Sequence, residues 1–288
     1  MNIESLLGLS AEYELSYAHY VSQGKDYLKD KKIVFVGLCR SVGDIIENNI
    51  AKIINIVDAI SLDYKIILFE NDSNDNTVNK LKNLSTNNPN IIYISQILHR
   101  TYYGTVKETK RVEAFAEYRN LLKDYIANNY SDYDLSVVID VDFVDFSSNG
   151  FYHSLGLMKN YSYISATCGN SFEVKPVFNA TQQSLWNYDS WAYRGSWWND
   201  LCNNSTSKFI NYHPMFWFGL WILPRGSDPI RINSGFGGMC IYKTEIYLVG
   251  EYNGSDCEHV TFHYNLYHNK NIDFQLYLNP SQIMLLKS

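Results

Sequence analysis

Cysteine is scarce here and falls singly. The five cysteines among 288 residues (Cys39, Cys168, Cys202, Cys240 and Cys257) include no pair with zinc-ligand or redox-motif spacing. A disulfide framework is therefore not expected, and free thiols in a reducing compartment are. Positive charge is lacking too: 24 Lys and Arg against 30 Asp and Glu leave a net charge of −6, which gives no support to a nucleic-acid partner, since that would need a basic face. No window approaches the roughly 20 apolar residues of a transmembrane helix. The opening "MNIESLLGLSAEYELSYAHY" has no basic n-region and no long apolar core, so no secretory signal is expected.

Aromatic side chains, in contrast, are abundant. They form 15% of the chain, with 24 tyrosines, within an ordinary apolar content of 46%. Their distribution is uneven. All six tryptophans (Trp186, Trp191, Trp197, Trp198, Trp217 and Trp221) lie in "LWNYDSWAYRGSWWNDL" and "YHPMFWFGLW", where charge is sparse. A chain of this length buries a substantial core. Neither an internal repeat nor a linker interrupts it, so a single domain is expected.

Residues 4–30 read as a helical lead-in, with Leu6, Leu7, Tyr13, Tyr17 and Tyr20 at helical spacing. "KKIVFVGLCR" then gives a buried-strand signal, and "VGDIIENNIAKIINIVDAI" a helix with an apolar residue every three or four positions. "YKIILFE" is a second strand, "TVNKLKNLS" a short helix and "NIIYIS" a third strand. Residues 107–129 predict a long amphipathic helix with Val112, Phe115, Tyr118, Leu122 and Ile126 inward. "LSVVIDVDF" is the fourth strand. Such alternation implies an α/β sheet of mostly parallel order, whose ligands bind beyond the carboxyl ends of its strands. Arg40, Glu70, Asp72, Asp140 and Asp142 all fall at those ends.

Asp140 and Asp142 carry the sharpest signal. Residues i and i+2 share one face of a strand, and two adjacent carboxylates repel unless a cation lies between them. A divalent ion bound through oxygens resolves that repulsion, although a bare Asp-x-Asp can equally be structural. After the second strand, Asp75 has the position of a helix cap, whereas the acidic pair Glu70 and Asp72 is a more natural ligand contact. Arg111 and Arg119 lie on the long helix. Solvation is the ordinary fate of such arginines, but Arg119 borders the apolar stripe, where it can pair with a carboxylate or phosphate. Gly235, Gly237 and Gly238 allow close backbone approach or form a simple turn. Asp256, Glu258, His259 and His263 lie within eight positions, with the histidines on one helical face. Imidazole suits manganese, and a carboxylate here suits a base. Tyr188, Asp189, Trp191 and Arg194 offer rings for sugar faces and polar groups for hydroxyls. An aromatic core or a homodimer interface is the alternative for that block.

In their order, "FENDSNDNT", "RVEAFAEYRN", "VVIDVDF", "YDSWAYR", "GFGGMCIYK" and "CEHVTFH" resemble the GT-A-fold glycosyltransferases, in particular the fungal capsule-associated mannosyltransferases and related bacterial and giant-virus enzymes. The resemblance spans residues 32–280. It implies an α/β, Rossmann-like, mostly parallel sheet flanked by helices, divided into a lead-in (1–31), a nucleotide-sugar-binding half (32–150) and an aromatic-rich acceptor-binding half (151–288). It implies a nucleoside diphosphate sugar donor, Mn2+ or Mg2+, and a saccharide or lipid-linked glycan acceptor in polysaccharide or glycan synthesis. Asp140 and Asp142 would hold the metal, with His263 or His259 completing its shell. Arg40, Glu70, Asp72, Arg119, Asp140, Gly237 and Gly238 would bind the donor. Tyr188, Asp189, Trp191 and Arg194 would bind the acceptor, and Glu258 or Asp256 would act as base. Fungal members are membrane-anchored. With no anchor read from this sequence, the cytoplasm is expected, including the inner membrane face.

Two other readings compete. "DVDFV" fits D-x-D-x-[TV], the motif of an Asp-nucleophile phosphatase, but it follows three strands where that chemistry uses the first. A carbohydrate- or nucleotide-binding module without turnover would keep the aromatic block and need no metal.

Overall fold

The computed structural model describes residues 3–103, 108–176, 183–196 and 221–287. Trp197, Trp198 and Trp217 of the aromatic block lie outside them, as does Cys202. The four strands read from the sequence form β1 (Lys32–Cys39), β2 (Asp63–Asn71), β3 (Ile91–Gln96) and β4 (Leu135–Ile139). They pair in parallel in the order β3-β2-β1-β4. Between them run α1 (Glu14–Leu28, before β1), α2 (Ile46–Val57), α3 (Thr77–Asn87) and α4 (Thr109–Asn129). α2, α3 and α4 match periodic stretches of sequence to within a few residues, whereas α1 begins at Glu14, ten residues after the start of the expected lead-in helix at residue 4.

Both faces of this sheet are covered, which is why its strands read as continuous apolar runs. Along β1, Ile33 and Phe35 enter one core with Ile46, Ile50 and Ile53 of α2, while Val34 and Val36 enter the other with Tyr118, Leu122 and Ile126 of α4. The strand period of two thus divides one sequence between two cores.

Beyond β4 the chain forms β5 (Asp145–Phe146), α5 (Ser148–Asn160), β6 (Ala166–Pro176), β7 (Gln183–Asn187), β8 (Arg194–Gly195), β9 (Ile230–Ser234), β10 (Met239–Lys243), α6 (Glu258–His268) and β11 (Leu276–Leu285). β10 lies antiparallel on β4 and continues the sheet through β6, β11, β9 and β8. The GT-A-type α/β architecture expected from the sequence is present, with a parallel first half and a largely antiparallel extension. No helix among the described residues is long and apolar enough to cross a membrane.

α1 packs on α5 with their backbones in contact. A Cβ added to Gly24 would overlap the Tyr152 carbonyl, and one added to Gly156 would overlap the carbonyl of Tyr20. Overpacking of this kind costs about 1–3 kcal/mol, more where backbone is the obstacle. Gly156→Ala is therefore expected to lower the unfolding free energy by at least that amount in urea titrations. Leu15→Ala, at an exposed site on the same helix pair, should stay within about 0.5 kcal/mol. Equal effects for the two would refute the close contact.

Candidate active site

The fourth strand stops at Ile139, short of the expected Phe143. Residues 140–143 turn instead, for a physical reason. The Asp140 N–H donates to the Gly238 carbonyl at 2.8 Å, and the buried Asn49 side chain of α2 donates to the carbonyls of Val141 at 2.9 Å and Phe143 at 2.7 Å. Val141 and Phe143 are buried while Asp142 is exposed and the Asp140 side chain keeps 28% of its surface. Both carboxylates line a cleft of about 210 Å³ at the carboxyl edge of the parallel strands.

The cleft also takes in Arg40, Arg111, Arg119 and Tyr188. Arg40 donates to the carbonyls of Thr101 at 3.0 Å and Arg100 at 2.8 Å, drawing the loop after β3 against the end of β1. That loop places Tyr102 and Tyr103 on the cleft wall. Arg111 lies with its Cζ 4.2 Å from the Phe115 ring centroid and 5.3 Å from that of Trp191. Among the described residues, Tyr102, Tyr103, Phe115 and Arg111 line the cleft without having been singled out as site residues. The "RTYYGT" that follows the third strand carried a usable signal, being aromatic and basic at the sheet edge where ligands bind.

Several expected site residues build the cleft without facing it. Glu70 accepts from the Ser73 N–H at 2.8 Å and from the Ser95 hydroxyl at 2.5 Å. Asp72 accepts from the N–H groups of Leu98 (2.8 Å), His99 (2.8 Å) and Arg100 (3.0 Å), so it staples the same loop that Arg40 holds. Burial works against its charge, but the Asn71 amide and those three N–H groups outweigh it and hold the carboxyl well below the usual range. Asp75 accepts from the Thr77 N–H at 3.0 Å and from the Gly43 N–H at 2.8 Å, one position ahead of Asn76, which holds the cap position expected for Asp75. Gly237 and Gly238 have φ of +61° and +72°. A Cβ on Gly237 would overlap the Gly169 backbone, so the fold alone requires glycine there.

The second half is tied in by carboxylates. Asp189 accepts from the Gly237 N–H at 2.7 Å and from Ala192 at 3.4 Å, joining the aromatic turn to the glycine turn. Arg194 grips both oxygens of Asp256, at 3.2 and 3.1 Å, and both side chains are buried. Asp256 is thereby withdrawn as a base, and Arg194 as an acceptor contact. Glu258 is likewise enclosed: its Oε1 accepts from Arg119 Nε at 3.3 Å. Arg119 in turn points Nη2 at Asp140 Oδ1, 3.5 Å away.

The histidines do not reach the cleft. His263 is fully buried, with Nδ1 bonded to the Ser234 hydroxyl at 3.0 Å and Nε2 to the Tyr242 hydroxyl at 2.8 Å. Neither nitrogen has a lone pair left for a metal, and His263 leaves the candidate set. His259 stacks on Phe236 at 3.8 Å with neither ring nitrogen hydrogen-bonded, its Nε2 lying 3.7 Å from Glu258 Oε1, and it too lies away from the cleft lining.

Charge explains what the cleft accepts. Burial is the largest influence on Asp140. Arg119 opposes it, and Asp142, Asp189 and Glu258 reinforce it, pushing the carboxyl up to about 7. The lining sets two carboxylates, Asp140 and Asp142, among three guanidinium groups, Arg40, Arg111 and Arg119; the carboxylate oxygens suit a hard divalent ion such as Mn2+ or Mg2+, and the guanidinium groups suit phosphate. Among the described residues no three His, Cys, Asp or Glu side chains cluster closely enough to hold an ion alone. Asp140 and Asp142 would therefore share it with phosphate oxygens and water, as magnesium-type sites do.

Two outcomes are expected. Asn49→Ala strips two buried carbonyls of their donor and should cost about 1–3 kcal/mol of stability, measured by urea unfolding; an unchanged midpoint would show the turn holds without it. Burial lowers His263 to about 3 from an ordinary 6.5. Below pH 6.5 the unfolded chain takes up a proton that the folded state refuses, so wild type should lose stability relative to His263→Gln as pH falls. The loss is at most about 1.4 kcal/mol per pH unit, and a pH-independent difference would contradict it.

Among curated proteins none matches this chain. Among solved structures, GalNAc-T7 with UDP, GalNAc and Mn2+ superposes with a TM-score of 0.55 at 12% identity, covering 90% of this chain and 44% of its own. The mannosyltransferase PcManGT from Pyrobaculum calidifontis, with GDP-Man and Mn2+, covers 99% of this chain and 68% of its own at 10% identity and a TM-score of 0.46. This chain thus spans less than half of GalNAc-T7, and the likeness is one of fold. A profile of the family described as Cryptococcal mannosyltransferase 1 matches residues 32–280, and the chain belongs to that family.

Proposed function

We propose that this chain transfers a glycosyl group from a nucleoside diphosphate sugar to a saccharide or glycan acceptor, in the synthesis of a surface polysaccharide or related glycan. One observation carries the reading: the Asp140-Asp142 turn and the arginines Arg40, Arg111 and Arg119 line a single cleft at the carboxyl edge of the parallel strands. Membership of a mannosyltransferase family and the UDP and Mn2+ named for a neighbour of the same fold support it.

Asp140 and Asp142 would hold Mn2+ or Mg2+, which supplies Lewis-acid neutralisation of the leaving diphosphate. Arg111 and Arg40, which line the same cleft, would orient the diphosphate oxygens, guanidinium being suited to phosphate. Tyr102 and Tyr103 offer faces against which a nucleobase can lie. Tyr188, at the cleft beside both aspartates, would meet the transferred sugar or the acceptor. In the step itself the anomeric carbon loses its bond to the diphosphate oxygen and gains one to the acceptor oxygen. The acceptor hydroxyl would give its proton to the departing nucleoside diphosphate, directly or through water. Asp256 is excluded from taking it by its clamp on Arg194.

The test is a thermal-shift panel of UDP, GDP and CDP, each with and without Mn2+. A ligand at 100 times its Kd adds about 2.7 kcal/mol to the folded state. One nucleotide is expected to raise the transition only when metal is present, and Asp142→Ala to abolish the rise. A rise that survives Asp142→Ala would favour a nucleotide-binding module. No rise under any condition would overturn the transferase reading.

A further inference from the structure

We propose that Glu258 is a positioning residue, which holds the Arg119 guanidinium in a neutral pair so that Asp140 remains open to a divalent cation. This rests on the reading of the cleft just given.

Arg119 has a fixed seat. It is 4% exposed on α4, its Cζ lies 5.1 Å from the Phe236 ring centroid, and its donors divide between two carboxylates. Nε faces Glu258 Oε1 at 3.3 Å, and Nη2 faces Asp140 Oδ1 at 3.5 Å. Phe236 is itself clamped by His259, stacked at 3.8 Å on its ring. The guanidinium therefore has little room to swing.

A guanidinium so close to Asp140 competes with any metal for the same carboxylate, since two cations on one anion repel strongly where water is scarce. Glu258 resolves the conflict. It begins α6, where the helix N-terminus favours a carboxylate, and it places a full negative charge on the far side of Arg119. Seen from Asp140, Glu258 offsets part of the Arg119 charge, whose own pull remains the stronger of the two. With Glu258 committed in this way and its side chain 5% exposed, it has no carboxylate edge in the cleft. It is absent from the cleft lining, where a proton acceptor would have to stand. The sequence expectation of a base at this position gives way to a role exercised through Arg119.

The experiment measures Mn2+ alone, by paramagnetic resonance of the free ion, against wild type, Glu258→Gln and the double variant Glu258→Gln with Arg119→Met. Thermal melting of each, and the wild-type nucleotide panel with and without Mn2+, run beside it. Leaving the Arg119 charge unbalanced should weaken Mn2+ binding about tenfold or more in Glu258→Gln. Removing both charges should return it to within about threefold of wild type. If Glu258→Gln does not fold, the double variant decides: recovered affinity supports the proposal, and lost affinity overturns it by making Glu258 a direct partner of the metal. Unchanged Mn2+ affinity in Glu258→Gln, with metal-dependent nucleotide stabilisation intact in wild type, overturns this proposal alone. Absence of both Mn2+ binding and nucleotide stabilisation in wild type overturns it together with the transferase reading.

Discussion

The seam between β4 and β10 is what the rest of the structure depends on. β10 lies antiparallel along the last parallel strand, with Met239 opposite Ile139, and the hydrogen bond from Asp140 to Gly238 closes the pairing. That one join attaches the mixed C-terminal sheet to the parallel half. It ends β4 just where the two aspartates must leave the sheet. It also delivers the glycine turn, whose Gly237 N–H anchors Asp189 and with it the aromatic turn. The left-handed backbone at Gly237 and Gly238 is thus a requirement of the seam rather than of a ligand.

Around the seam, buried ionic groups do the organising. Arg194 with Asp256, and Arg119 with Glu258 and Asp140, place full charges at sites of 1–5% exposure save for Asp140. Burying such pairs adds little net stability, because desolvation offsets their attraction, while breaking one leaves an uncompensated charge. Their consequence is geometric. They set α6 and the 188–194 turn against α4 and the end of β4, and they leave Asp140 and Asp142 in a cleft shared with Arg40, Arg111 and Arg119.

Much of the first half was legible. Strand and helix periods are local, so β1, β2, β3 and α2 to α4 follow from spacing alone, as does the collection of polar residues at one sheet edge. The reading failed where a side chain's partner is distant. Glu70 and Asp72 sit where a ligand contact belongs, yet backbone N–H groups from 73 and from 98–100 claim them. His259 and His263 do share a helical face, as their spacing required, but Ser234 and Tyr242 take both nitrogens of His263. Arg194 and Asp256 are 62 positions apart, and Arg119 and Glu258 are 139 apart. No local pattern marks such pairs.

The sequence by itself determined the alternating elements, the parallel order they imply, and the placing of two carboxylates, Asp140 and Asp142, at the end of the fourth strand. Each of these follows from the period of apolar residues along the chain. Only the tertiary structure decided which of the remaining charged residues face the cleft and which are consumed in building it. The reason is that a carboxylate or imidazole carries the same chemistry wherever it lies. What it can do depends on which of its lone pairs the folded neighbours have already used.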